Sequence, residues 1–218
     1  MARPIEKMVT IPAPGEGGGA LEAVFLPAAG ETRGAAVVAP PHPLYGGSMD
    51  NPVVTEVACA LQELQLASLR FNWRGVGASS GVPSGDPDEA ARDTLAALEQ
   101  AAETAPGELV ASGYSFGAVA AVAAASSGRL PRPVSRLVLV APPPTLLRPG
   151  ALAAAPAPVL VVAGAADALA PPRELARLLE GLPGARLEVV ARADHFFMAG
   201  LGELRRTLLE SLGEAPPR

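Results

Sequence analysis

Leu109-Val110-Ala111-Ser112-Gly113-Tyr114-Ser115-Phe116-Gly117 is the stretch on which the reading of this chain turns. Its first four residues form a short run of the kind found in strands buried on both faces. The last five fit G-x-S-x-G, and residues 116–126 are almost wholly Ala and Val, the composition of a helix buried between a sheet and its neighbours. A strand, a sharp turn and a helix in that order put the Ser115 hydroxyl at the carboxyl end of a sheet. Such a turn is strained, and Gly113 and Gly117 remove the Cβ atoms that would collide with nearby backbone. The helix start also aims N–H groups at negative charge near Ser115. A bare Gly-x-Ser-x-Gly is equally compatible with a turn in which Ser115 only caps a helix. The strand before it and the buried helix after it favour a nucleophile.

The same strand–helix alternation recurs along the chain. Short apolar runs bounded by Pro or Gly stand at 35–39, 67–71, 108–112, 136–141, 158–164 and 186–190. Helical spacing fills 52–64, 88–103, 116–126, 172–182 and 201–212. Residues 7–11 and 20–26 flank a Gly-rich turn at 15–19 and read as an antiparallel hairpin at the sheet edge. Repeated alternation around a G-x-S-x-G turn predicts an α/β-hydrolase fold: a mostly parallel, doubly wound sheet with an N-terminal antiparallel hairpin. Neither a linker nor a repeat interrupts it, so one domain is expected over 1–218. Only residues 142–157 separate the fourth and fifth parallel strands, with room for at most one short helix near 146–154. A cap domain does not fit there, which predicts an open site.

Bulk properties narrow the function classes. The chain has 218 residues, 49% of them hydrophobic and 18% charged, which suits one well-filled globular core. Its 23 glycines and 24 prolines fall mainly between apolar runs, where they punctuate turns. Formal net charge is −5 and no basic stripe stands out, against a nucleic-acid partner. No apolar run of membrane-spanning length and no secretory h-region are found, so the expectation is a cytoplasmic protein with no membrane partner. Cys59 is the single cysteine, expected as a small buried hydrophobe. With two histidines and that one cysteine, no metal and no other cofactor are expected. The Ala-rich helices would suit a homodimer, although nothing specifies an interface.

A serine hydroxyl needs a base to remove its proton as it attacks. The histidines are His42 and His195, and the fold's chain order is nucleophile, acid, histidine. Only His195 follows Ser115. It lies just after the run 186–190, at the sheet edge where the turn at Ser115 sits. The acid should follow a strand between them, and Asp167 does, in a loop after 158–164. Asp194 is the rival, but chain neighbours rarely point at each other, so it reads as a loop-shaping residue. The oxyanion would take one N–H from Phe116 and one from the loop after the first parallel strand. In Pro40-Pro41-His42-Pro43-Leu44-Tyr45 the prolines have no N–H, which leaves His42, Leu44 and Tyr45, with Leu44 favoured.

Here the chain resembles a known group. Residues 40–47, Arg70-Phe71-Asn72-Trp73-Arg74-Gly75-Val76-Gly77, the turn at Ser115, Gly164–Asp167 and Asp194-His195-Phe196-Phe197 resemble the small cap-less hydrolases related to dienelactone hydrolase. Two positions depart from that pattern. Pro40 stands where the group has a histidine, and Ala165 where it has an aspartate, which leaves Asp167 as the only carboxylate of its loop. The resemblance implies a serine esterase acting on a small-molecule ester through an acyl-enzyme. A thioesterase or peptidase with the same triad and a non-catalytic binding protein are the alternatives. His42 would orient the loop or touch substrate. Tyr45, Tyr114 and Trp73 are further candidates for substrate contact, with packing as the favoured reading of Trp73.

Overall fold

In the computed structural model, residues 5–15, 18–148 and 150–213 are described. Glu16 and Gly17 of the expected Gly-rich turn, and the stretch 214–218, lie outside them. The strands are β1 (Lys7–Pro12), β2 (Ala20–Leu26), β3 (Gly34–Ala39), β4 (Leu66–Phe71), β5 (Glu108–Tyr114), β6 (Arg136–Val140), β7 (Val159–Gly164) and β8 (Arg186–Val190). The helices are α1 (Pro52–Glu63), α2 (Pro87–Thr104), α3 (Phe116–Ala125), α4 (Pro172–Leu179) and α5 (Leu201–Gly213). One eight-stranded sheet runs β1-β2-β4-β3-β5-β6-β7-β8. From β4 to β8 every pairing is parallel, while β1 and β2 form the expected antiparallel hairpin, with β2 antiparallel to β4.

Every residue of β3, β4 and β7 is buried, the reason β3 and β7 are continuous apolar runs rather than alternating ones, while β4 also buries Ser68 and Arg70. Helix α3 is apolar all round because it lies between the sheet and α2. Helix α1 packs on α5. From β3 the chain crosses to β4 on one side, and from β5 to β6 on the other, although β3 and β5 are neighbours. The loops leaving their carboxyl ends therefore diverge and open a crevice, the place where open parallel sheets bind ligands. Those are the loop 40–51 and the turn at Ser115.

Strand boundaries fall within two residues of those expected from the sequence. The largest change is at β5, which runs on to Tyr114 because Gly113 and Tyr114 still pair with Leu139 and Val140. Helix α4 stops at Leu179 rather than 182, where Glu180 leaves the helix and Gly181 takes φ 75°. The short helix allowed near 146–154 is instead a 3₁₀ turn at Pro144–Leu146 followed by hydrogen-bonded turns. Pro149 falls inside that range and brings no N–H to a helix, and Gly150 takes φ 74°. Cys59 is half-buried rather than buried, and desolvation pushes its thiol above the usual range. Among the described residues no helix is long and apolar enough to cross a membrane.

Candidate active site

Ser115 sits between β5 and α3 with φ 55° and ψ −119°, a conformation that costs a non-glycine residue about 1–3 kcal/mol. The surroundings enforce it. Its N–H donates to Val140 O at 2.8 Å, which ties the turn to β6. A Cβ on Gly113 would lie 2.3 Å from the carbonyl group of Gly117, and one on Gly117 would lie 2.2 Å from Ala39 O. Both glycines therefore mark backbone packed on backbone, and α3 begins directly against the end of β3. Gly117→Ala is expected to cost about 2–3 kcal/mol. Thermal unfolding would read this as a loss of roughly 5–10 °C.

The Ser115 Oγ lies 3.0 Å from His195 Nε2. On the far side of the ring, Nδ1 lies 2.9 Å from Asp167 Oδ2 and 3.0 Å from Oδ1. Asp167 is 4% exposed and His195 6%. Asp167 Oδ1 also accepts the N–H groups of Leu169 (2.9 Å) and Ala170 (2.7 Å), which lock the carboxylate in place. The three residues singled out in the sequence are thus joined by consecutive hydrogen bonds, though 52 and 28 positions separate them along the chain. Asp194 points away: its Oδ1 accepts from the N–H of Phe196 and of Met198, which closes the tight loop behind His195.

Two supports of the histidine loop had no signal in the sequence. Gly164 has no room for a side chain, since a Cβ there would lie 2.3 Å from Ala193 O, so the Asp167 and His195 loops touch through backbone. The Tyr114 hydroxyl donates to His195 O at 2.9 Å. Burial, followed by the negative charges of Asp167 and Asp194, holds this phenol above its usual range, so it stays a donor. Tyr114 is 2% exposed and lies beneath the histidine, not in an open pocket, which removes the geometric basis for a substrate contact.

The loop 40–51 is also arranged differently from the sequence expectation. Leu44 N–H, the favoured oxyanion donor, donates to His42 Nδ1 at 3.2 Å. Tyr45 N–H goes to His42 O at 3.1 Å. The physical reason is helix capping: His42 caps a 3₁₀ turn, Pro43–Tyr45, with Pro at its first position, so its side chain takes the N–H at the second. Burial lowers the His42 pKa, which favours the neutral ring that this acceptor role needs. Of the three candidate amides only His42 N–H makes no hydrogen bond among the described residues, and Phe116 N–H makes none either. The His42 and Phe116 rings meet at 4.5 Å, so the loop lies directly on the start of α3. The Pro at the first turn position was the available signal, because capping commits the Leu44 N–H.

Residues 70–77 brace this loop from beneath. Trp73 Nε1 donates to Pro41 O at 2.8 Å, and the indole is 2% exposed against Phe71 and Phe116. Trp73 therefore supports the loop and does not wall an open pocket. Arg70 Nε donates to Met49 O, and its other nitrogens pair with both Glu6 oxygens. Asn72 Oδ1 accepts from Met49 N–H while its Nδ2 donates to Glu22. Arg74 forks onto Asp93, which is 1% exposed. Tyr45, by contrast, is 87% exposed, its ring 4.8 Å from that of His42.

Comparison with known proteins agrees with this geometry. The chain is 31% identical to an α/β serine hydrolase homologue from Coxiella burnetii, over 94% of this chain and 97% of that one, with a TM-score of 0.83. It is also 31% identical to an α/β serine hydrolase without a lid from Xanthomonas campestris, over 98% and 96% of the two chains, with a TM-score of 0.82. An uncharacterised protein of Rickettsia prowazekii is 28% identical over 205 residues, 89% of this chain and 84% of that one. The fold is that of the α/β-hydrolases, without a lid. The serine hydrolase family model matches residues 76–208, a span that holds Ser115, Asp167 and His195, and the chain belongs to that family.

Proposed function

We propose that this serine hydrolase cleaves carboxylic esters through an acyl-enzyme, with Ser115, His195 and Asp167 as its triad. The relation to dienelactone hydrolase drawn from the loop motifs belongs to the same proposal. The observation that carries it is the unbroken line Asp167 Oδ2, His195 Nδ1, His195 Nε2, Ser115 Oγ, with hydrogen bonds of 2.9 Å and 3.0 Å on the two sides of the ring. Ser115 Oγ attacks the ester carbonyl carbon as its proton passes to Nε2. Asp167 keeps the other ring proton on Nδ1, so that Nε2 is free to accept. The N–H groups of Phe116 and His42 receive the oxyanion, which needs donors with no other acceptor. His195 then protonates the departing alcohol oxygen. Water enters and attacks the acyl carbon as it loses a proton to Nε2, and the acyl–Oγ bond then breaks as that proton passes to Ser115 Oγ, which releases the acid and free Ser115.

The short segment between β6 and β7 leaves the site open, which supports small substrates or the exposed end of larger ones. A fluorophosphonate probe is expected to label the native protein on Ser115, read by mass spectrometry of the peptide that carries it. Folded protein that takes up no label would sink the proposal and favour a binding role.

A further inference from the structure

A groove of about 640 Å³, within the range of small-molecule sites, runs along α3. Val119, Val122 and Ala123 of α3 form one wall, and Leu146, Leu147 and Ala151 the facing one. Each wall continues from an element that holds Ser115 in place. Val119, Val122, Ala123 and Ser126 recur at helical spacing on one stripe of α3, whose N-cap is Ser115. The facing segment follows β6, whose Val140 O accepts the Ser115 N–H. The third side is the start of α2, at Asp86 and Pro87. Gly85, just before it, abuts the His42 ring: a Cβ there would lie 2.9 Å from Nε2. An ion pair between Arg148 and Asp88 joins the segment after β6 to α2.

No residue of the Asp167 or His195 loops lines this groove. The leaving alcohol must sit at His195 to receive its proton, which leaves a groove away from the His195 loop for the acyl side of the scissile bond. We propose that it holds the acyl chain of the substrate, and that Val119, Val122, Ala123 and Leu146 select a medium-length aliphatic acyl group. This rests on the esterase reading above. At about 1.5 Å of rise per residue, Val122 lies roughly 10 Å along the helix from Ser115, the reach of an extended chain of about eight carbons. The two walls offer such a chain aliphatic contact, and the charged Asp88 and Arg148 that also line the groove pair with each other.

The test compares kcat/KM for p-nitrophenyl octanoate and p-nitrophenyl acetate, both kept below their solubility limits. The wild-type ratio is expected to favour octanoate by about tenfold or more. Ala123→Phe, which fills the middle of the groove, should lower that ratio by about tenfold. Leu146→Trp, on an exposed turn that tolerates bulk, should do the same if Ala123→Phe fails to fold. If both variants melt like the wild type and keep its ratio, the acyl groove is overturned while the esterase reading stands. A wild-type protein that turns over neither ester overturns both.

Discussion

Ser115→Ala is expected to lower kcat/KM for p-nitrophenyl acetate by about 10⁴- to 10⁶-fold while leaving the protein folded. The substitution removes the atom placed to attack, since among the described residues Oγ is the one side-chain oxygen at hydrogen-bond distance from His195 Nε2. Structurally the change is small. The Ser115 side chain makes no capping bond to α3, so the helix loses nothing with it. The strained φ of 55° burdens alanine as it burdens serine. The melting temperature should therefore stay within about 2 °C of the wild type. Turnover above the uncatalysed rate should persist weakly, because the Phe116 and His42 amides remain. Undiminished activity in a folded variant would remove Ser115 as the nucleophile.

Asp167→Asn should cost about 10⁴-fold in kcat near neutral pH, for a reason the loop geometry makes specific. Oδ1 of Asp167 is held by the N–H groups of Leu169 and Ala170, and two donors cannot face an amide NH₂. In the variant the carbonyl oxygen must keep that place, which puts the NH₂ where Oδ2 now stands, 2.9 Å from His195 Nδ1. The NH₂ donates to Nδ1, so the ring proton moves to Nε2 and the imidazole faces Ser115 as a donor. It then has no lone pair for the serine proton. The variant should bind fluorophosphonate slowly, fold normally, and lose far more in kcat than in KM. A loss confined to KM would show that Asp167 shapes the pocket and does not set the histidine tautomer.

The outline of the fold and the meeting of Ser115, His195 and Asp167 were legible because they depend on local chemistry. A strand, a Gly-flanked serine and an Ala/Val helix in immediate succession admit few geometries. With two histidines and one carboxylate in the loop after β7, elimination left little else. The oxyanion loop was read less well. Exclusion of the prolines was sound, but three amides remained, and the choice among them depends on which N–H groups the loop already uses. A capping reading of His42-Pro43 would have removed Leu44. Tyr114 and Trp73 carry polar tips that look available in a sequence, and both are used against backbone carbonyls, at His195 and Pro41.

By itself, then, the sequence determined the strand–helix alternation, the turn at Ser115 and the identity of its two partner residues, because period, glycine placement and residue count are written along the chain. Tertiary structure alone decided the strand order that sets β3 beside β5, the amide left free at His42, the anchoring of His195 by Tyr114, and the groove between α3 and the segment after β6. Each of these depends on which donors and surfaces remain unused once distant segments have packed, and that remainder exists only in the folded chain.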